Sequence, residues 1–168
     1  MLPGMLSLSL ALGLSLAAAP ADKALEGRRG EIAREVLAVA GQIQRDIERG
    51  DVAALVARVP PEGLRCGGDV VPRARVARDL RAEGSWLHGV VFGGPGATAQ
   101  AGQPGSLREL FARAKEVAVV VAFRADARAA AGMPCFDFRA KDTVTPGAPM
   151  CLEKRGGKWW FTESLYPC

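Results

Sequence analysis

An α+β fold is predicted for this chain, with N-terminal helices packed on a C-terminal antiparallel sheet of about four strands. Three observations predict it. In the first half, apolar residues recur at three- and four-residue steps, the period of a helix with one buried face. In the last third they form β-branched runs that alternate, the period of strands. A Gly156-Gly157 pair between two such runs marks a tight hairpin. Helices first and strands later is the order of an α+β domain rather than of a parallel α/β sheet. The sequence shows no internal repeat and no shift in composition that would mark a second domain. It divides into a leader, 1–21, and one domain, 22–168.

The leader carries no charged side chain. Met5 to Ala19 is a run of Leu, Ala and Ser, followed by Pro20, Ala21 and the first charges, Asp22 and Lys23. An apolar stretch of about 7–15 residues ending in small residues is the layout of a secretory signal. Cleavage is expected after Ala21. No Lys or Arg precedes the run, which departs from the usual pattern. A transmembrane anchor is the weaker reading, because a span needs about 20 apolar residues and Ser7, Ser9 and Ser15 interrupt this one. The expectation is a secreted or periplasmic protein with no membrane anchor after cleavage.

Within the domain, Ala24 to Arg49 reads as one long helix. Ile32, Val36, Val39, Ala40, Ile43 and Ile47 form its apolar stripe. Gly50 ends it, and Asp51 caps a short helix over Val52 to Val59, stopped by Pro60-Pro61. Leu64 to Cys66 reads as a short strand, and Gly67-Gly68-Asp69 as a turn. Pro72 opens a third helix to about Arg81, with Val76 and Leu80 inward. Ser85 to Phe92 fits a helix or a strand. Gly93 to Gly105, rich in Gly, Ala, Pro and Gln, reads as a mobile surface loop. Ser106 to Glu109 has the form of a capping box and opens a helix to about Lys115.

The strands follow. Val117 to Phe123 reads as a buried strand rich in β-branched residues. Cys135 to Arg139 alternates, placing Phe136 and Phe138 on one face. Met150 to Arg155 and Lys158 to Thr162 flank the Gly-Gly turn.

Two stretches carry a family resemblance: Glu48 to Leu55, a long helix turning at Gly50-Asp51 into a short one, and the closing Gly157 to Phe161 strand. With late antiparallel strands, the pattern resembles the cone-shaped α+β fold of the nuclear transport factor and SnoaL-like superfamily. That superfamily includes isomerases, cyclases, dehydratases and non-catalytic binding domains. The resemblance implies a cone with a concave pocket lined by the sheet, and no particular chemistry.

Cys66, Cys135, Cys151 and Cys168 all lie beyond the leader. In an oxidising compartment an even count reads as disulfides. Four cysteines allow three pairings, and the sequence alone does not choose. Cys135–Cys151 with Cys66–Cys168 is preferred. The first would staple a hairpin and the second would tie the C-terminus to the start of the sheet. No two cysteines have two to four residues between them, so no zinc site is expected.

No catalytic motif emerges. His88 is the only histidine. Set between Leu87 and Gly89, it reads first as a half-buried structural residue. Under the enzyme alternative, an isomerase or dehydratase type with a cone pocket, it would be the general base. There is no Gly-x-Ser-x-Gly, and Gly93-Gly94-Pro95-Gly96 lacks the Lys-Ser/Thr of a phosphate loop. Arg75, Arg78 and Arg81 share one side of the third helix and could bind an anion, but Asp79 and Glu83 dilute them. Trp160 faces away from Trp159 and Phe161 along the last strand. Core packing is the default reading for it, and a ligand shelf the alternative.

The 22 basic and 18 acidic residues are well mixed, so the net charge of +4 makes no nucleic-acid footprint. The sequence thus predicts an exported, disulfide-stabilised binding or envelope-associated module without a cofactor. Its expected partner is an anionic envelope component or a small ligand.

Overall fold

The structure is a computed structural model and describes residues 20–95, 97, 102–163 and 165. Residues 1–19 of the leader and Cys168 therefore lie outside the described residues. Helix α1 spans Pro20–Arg49, so the expected cut after Ala21 falls within its first turn. Its stripe behaves as the periodicity requires. Val36, Ala40, Ile43 and Ile47 are buried, and Ile32 and Val39 pack beside them.

Gly50 ends the helix with φ of 71°, a conformation that costs glycine little. The Asp51 side chain accepts a hydrogen bond from the Ala54 amide at 2.9 Å and caps α2, Val52–Val56. This helix is shorter than expected. Leu64–Cys66 (β1) and Asp69–Val71 (β2) form a small antiparallel hairpin across Gly67-Gly68. The second strand escapes a pattern search, because three residues are too few to show a period.

Helix α3, Arg73–Arg81, follows Pro72 and buries Val76 and Leu80. The ambiguous stretch is a helix, α4, Trp86–Phe92. Ser85 decides it: its Oγ accepts from the His88 amide at 3.0 Å, an N-cap that a strand could not use. In the Gly93–Gly105 segment, residues 96 and 98–101 lie outside the described residues. Its last part is not a surface loop, because Pro104, Gly105 and Ser106 are buried. There the Ser106 Oγ accepts from the Glu109 amide, and the Glu109 carboxylate reaches back to the Gly105 amide. This cap starts α5, Leu107–Arg113.

The last third is an antiparallel sheet of four strands in the order β3-β4-β5-β6. They span Ala118–Asp126, Ala129–Arg139, Met150–Arg155 and Lys158–Phe161. Gly156 and Gly157 have φ of 56° and 77°, the two left-handed residues of a tight turn whose twist suits a hairpin. Helix α1 lies across β4 and β3. Between them sits the core, built on Ile43, Ile47, Phe136, Phe138, Leu152 and Phe161, all at or below 1 % exposure.

Strand β3 corrects the expectation of a buried strand. It lies at the sheet edge, and its burial alternates between half-buried and exposed along its length. Val119 and Val121 pack on the core while Val120 is 38 % exposed. A β-branched run shows that a strand forms, not whether a second layer covers its outer face.

Cys135 and Cys151 stand directly opposite each other on β4 and β5 and are joined by a disulfide. They share a small apolar cluster with Met133 on the face away from α1. Cys66 is also disulfide-bonded. Cys168, its expected partner, is outside the described residues.

Candidate functional site

The ladder between β4 and β5 holds for two pairs only, Phe136↔Met150 and Cys135↔Cys151. It stops one residue short of Pro134, which has no N–H to give a ladder. Beyond that point β5 stays with β6, from Leu152↔Phe161 to Arg155↔Lys158, while β4 stays with β3. The sheet therefore splits, and the N-terminal half of α1 roofs the gap. The result is a cleft of about 390 Å³.

Its walls are apolar: Ile32 from α1, Met133 and Pro134 from β4, Leu152 from β5 and Trp159 from β6. Arg28 and Lys154 stand at the rim. Arg29 closes the roof, donating from Nε to the Ala131 carbonyl at 3.0 Å with its guanidinium 5.5 Å above the Phe123 ring. That bond also gives the Ala131 carbonyl a partner.

One clamp fixes the Trp159 wall. The Glu35 carboxylate accepts from Lys154 Nζ at 2.6 Å and from the Trp159 indole N–H at 2.9 Å. The Lys154 bond first, and the indole bond second, hold the Glu35 carboxyl below the usual glutamate range. At the hairpin tip, the Arg128 side chain and amide bond to Asp126 and hold its carboxyl at about 2. Both shifts are downward, so each contribution is present above the unfolded carboxylate range of about 4 and is lost as pH falls through the folded value. Glu35→Gln is expected to lower the melting temperature slightly at pH 6. The difference should shrink as pH falls below the unfolded carboxylate range and be lost once it has passed through the lowered value of the native carboxyl. Melting curves across this range check it; a gap that stays constant with pH would show that the Glu35 charge does not matter.

The residues singled out by sequence lie elsewhere. His88 is half-buried on α4, its Nδ1 2.8 Å from the Leu80 carbonyl, so that nitrogen carries the proton. Its ring meets Phe92 at 5.2 Å. These contacts tie α4 to the end of α3, and no carboxylate among the described residues bonds to the ring. Arg75 and Arg78 both reach Asp79, at 3.6 and 3.3 Å, and Arg81 donates to the Ala77 carbonyl. The arginine stripe is thus partly self-neutralised. Arg75 does border a separate hollow of about 420 Å³ with Cys66, Val70 and Trp86.

Trp160 is not in the core, which corrects the default reading. It is half-buried on the face away from α1, with Lys158 Nζ 3.9 Å above its ring. The buried tryptophan is Trp159, at 9 % exposure. The structure does not bring His88, the arginines and Trp160 together.

A third hollow, of about 470 Å³, lies between α5 and the turn after β4, beside Arg113 and Lys141. It is larger than the split cleft but has no aromatic wall. Sequence reasoning missed the cleft residues. Pro134 inside a strand was the available signal, since proline there marks an edge or a break in pairing.

Among the described residues no group of three or more His, Cys, Asp or Glu could hold a metal ion. No helix among them is long and apolar enough to cross a membrane. The fold and cleft define a disulfide-stapled α+β domain with a split sheet. Compared with known proteins, the chain matches no family model, no curated protein and no solved structure.

Proposed function

We propose that this chain is an exported, disulfide-stapled binding module whose ligand sits in the β4–β5 cleft. The observation that carries the reading is the split sheet. It leaves a cavity of about 390 Å³, within the range of roughly 300–1,000 Å³ typical of small-molecule sites. The ligand class follows from the lining. Ile32, Pro134, Leu152 and Trp159 offer an apolar bed. Of the rim charges, Arg128 is held by Asp126, and Glu153 by Arg155 at 2.8 Å. Among the described residues Arg28 has no such bond, and it makes the rim cationic. A small molecule with an apolar body and one anionic group fits this arrangement.

Export is supported by the uncharged leader and by disulfides, which persist in oxidising compartments. The helix turning at Gly50-Asp51 and the closing aromatic strand support a place beside the nuclear transport factor and SnoaL-like superfamily. Among the described residues no carboxylate orients His88, as the enzyme alternative needs.

Calorimetric titration with decanoate and with decylamine tests the ligand class. Decanoate should bind and decylamine should not. Arg28→Glu should weaken decanoate by about tenfold, the effect of losing one charge-assisted contact of about 1.5 kcal/mol. Equal binding of the two, or binding indifferent to Arg28→Glu, would refute the cationic rim as the determinant.

A further inference from the structure

Strand β3 ends the sheet, and among the described residues no strand pairs with its outer edge. Natural edge strands are usually blunted by charges, by proline, by bulges or by being short. This one is nine residues long. From Val117 to Phe123 it carries neither a charge nor a proline. The register shift between Arg124 and Asp126 disturbs only its far end. Ala118, Val120 and Ala122 on its outer face are exposed. Such an edge is a template for another strand, and the question is whose.

We infer that the partner is the same strand of a second copy, paired antiparallel about a two-fold axis through Val120. The charges around the run carry the inference. Residues directly opposite in an antiparallel pair point to the same face, and a two-fold axis normal to the sheet keeps each residue on its own face. The axis must therefore pass through a residue, not between two. Centred on Val120, the pairing sets Glu116 opposite Arg124 of the second copy, and Arg124 opposite its Glu116. Val120 then meets Val120, Ala118 meets Ala122, and on the core side Val117 meets Phe123 and Val119 meets Val121. Centred on Val121, it would instead set Glu116 opposite Asp126, a like-charge pair on each side. Centred on Val119, it would set Glu116 opposite Ala122 and leave Arg124 opposite Ala114.

The Val120 register alone among these gives two opposite-charge pairs flanking an uncharged centre. The Arg124 side chain is free enough to serve. It is 59 % exposed, and both of its contacts are long, 3.4 Å to Glu163 and 3.8 Å to the Cys151 sulfur. The product is a continuous eight-stranded sheet with neither β3 edge open.

Sedimentation velocity of the full chain over a concentration series tests it. A dimer is expected by about 100 μM, since a small interface gives affinities in the micromolar range. Val120→Lys puts two like charges at the axis on an exposed site and should give a monomer with an unchanged melting curve. Glu116→Arg and Arg124→Glu should each weaken the dimer several-fold, and the two together should restore it, because the pairs are then re-formed with reversed sign. A protein monomeric throughout the series overturns the inference. So does a dimer that Val120→Lys leaves intact, or a double variant no tighter than the singles.

Discussion

Replacing Cys135 and Cys151 together by Ala is expected to lower the unfolding free energy by about 3 kcal/mol. The bridge closes a loop of sequence separation 16, and cross-linking a loop of that size restricts the unfolded chain by about that amount. Both residues are buried, at 2 % and 0 %, so loss of packing adds to the effect rather than offsetting it. Urea denaturation of the native and double-variant proteins measures it. The position of the bridge adds a local expectation. Cys135↔Cys151 is the last pair before β4 and β5 part. Without the bond, the split should travel toward Phe136 and Met150. Hydrogen exchange at those amides should rise more than at β3, whose pairing with β4 extends from Ala118 to Asp126. Uniform exchange across the sheet would show that the bridge supports the whole fold and not the junction.

The helices were legible because a stripe such as Val36, Ala40, Ile43 and Ile47 can be buried in only one way. The caps Asp51, Ser85 and Ser106 act through one side-chain bond each, so they too sit in the sequence, although Ser85 was conclusive only once its bond to the His88 amide was seen. The layout of the sheet was legible from its turns and alternation. What escaped depends on neighbours distant in the chain. Val117 to Phe123 looks alike whether one or two layers cover it, so its edge position was hidden. The cleft is made by two strands parting, an event with no periodicity and only Pro134 as a local trace. The side chains that line it come from α1, β4, β5 and β6, which no spacing rule connects.

That same dependence decides the two adjacent tryptophans. Along a strand a slip of one residue exchanges the buried and exposed faces, and the sequence offers aromatic residues at 159, 160 and 161. The observed register pairs Trp159 with Lys154 and Trp160 with Glu153. Trp159 and Phe161 thereby face α1, and Trp160 faces away. Trp159→Ala is therefore expected to cost about 3–5 kcal/mol, the range for truncating a buried tryptophan. It removes the packing under α1 and leaves the Glu35 carboxylate with Lys154 as its partner. Trp160→Ala should cost clearly less. It loses the partial burial of a half-buried ring and a contact with the Lys158 ammonium, the latter in a class worth roughly 0.5–1 kcal/mol. Parallel denaturation of the two variants separates them. Equal losses would mean that the last strand is shifted by one residue or buried on both faces. The ligand experiment should order them the same way, because Trp159 walls the cleft and Trp160 lies on the opposite face of the sheet. Where Trp159→Ala destabilises too far for titration, Trp159→Phe keeps most of the packing and should still lose affinity for decanoate. Trp160→Ala should bind as the native protein does.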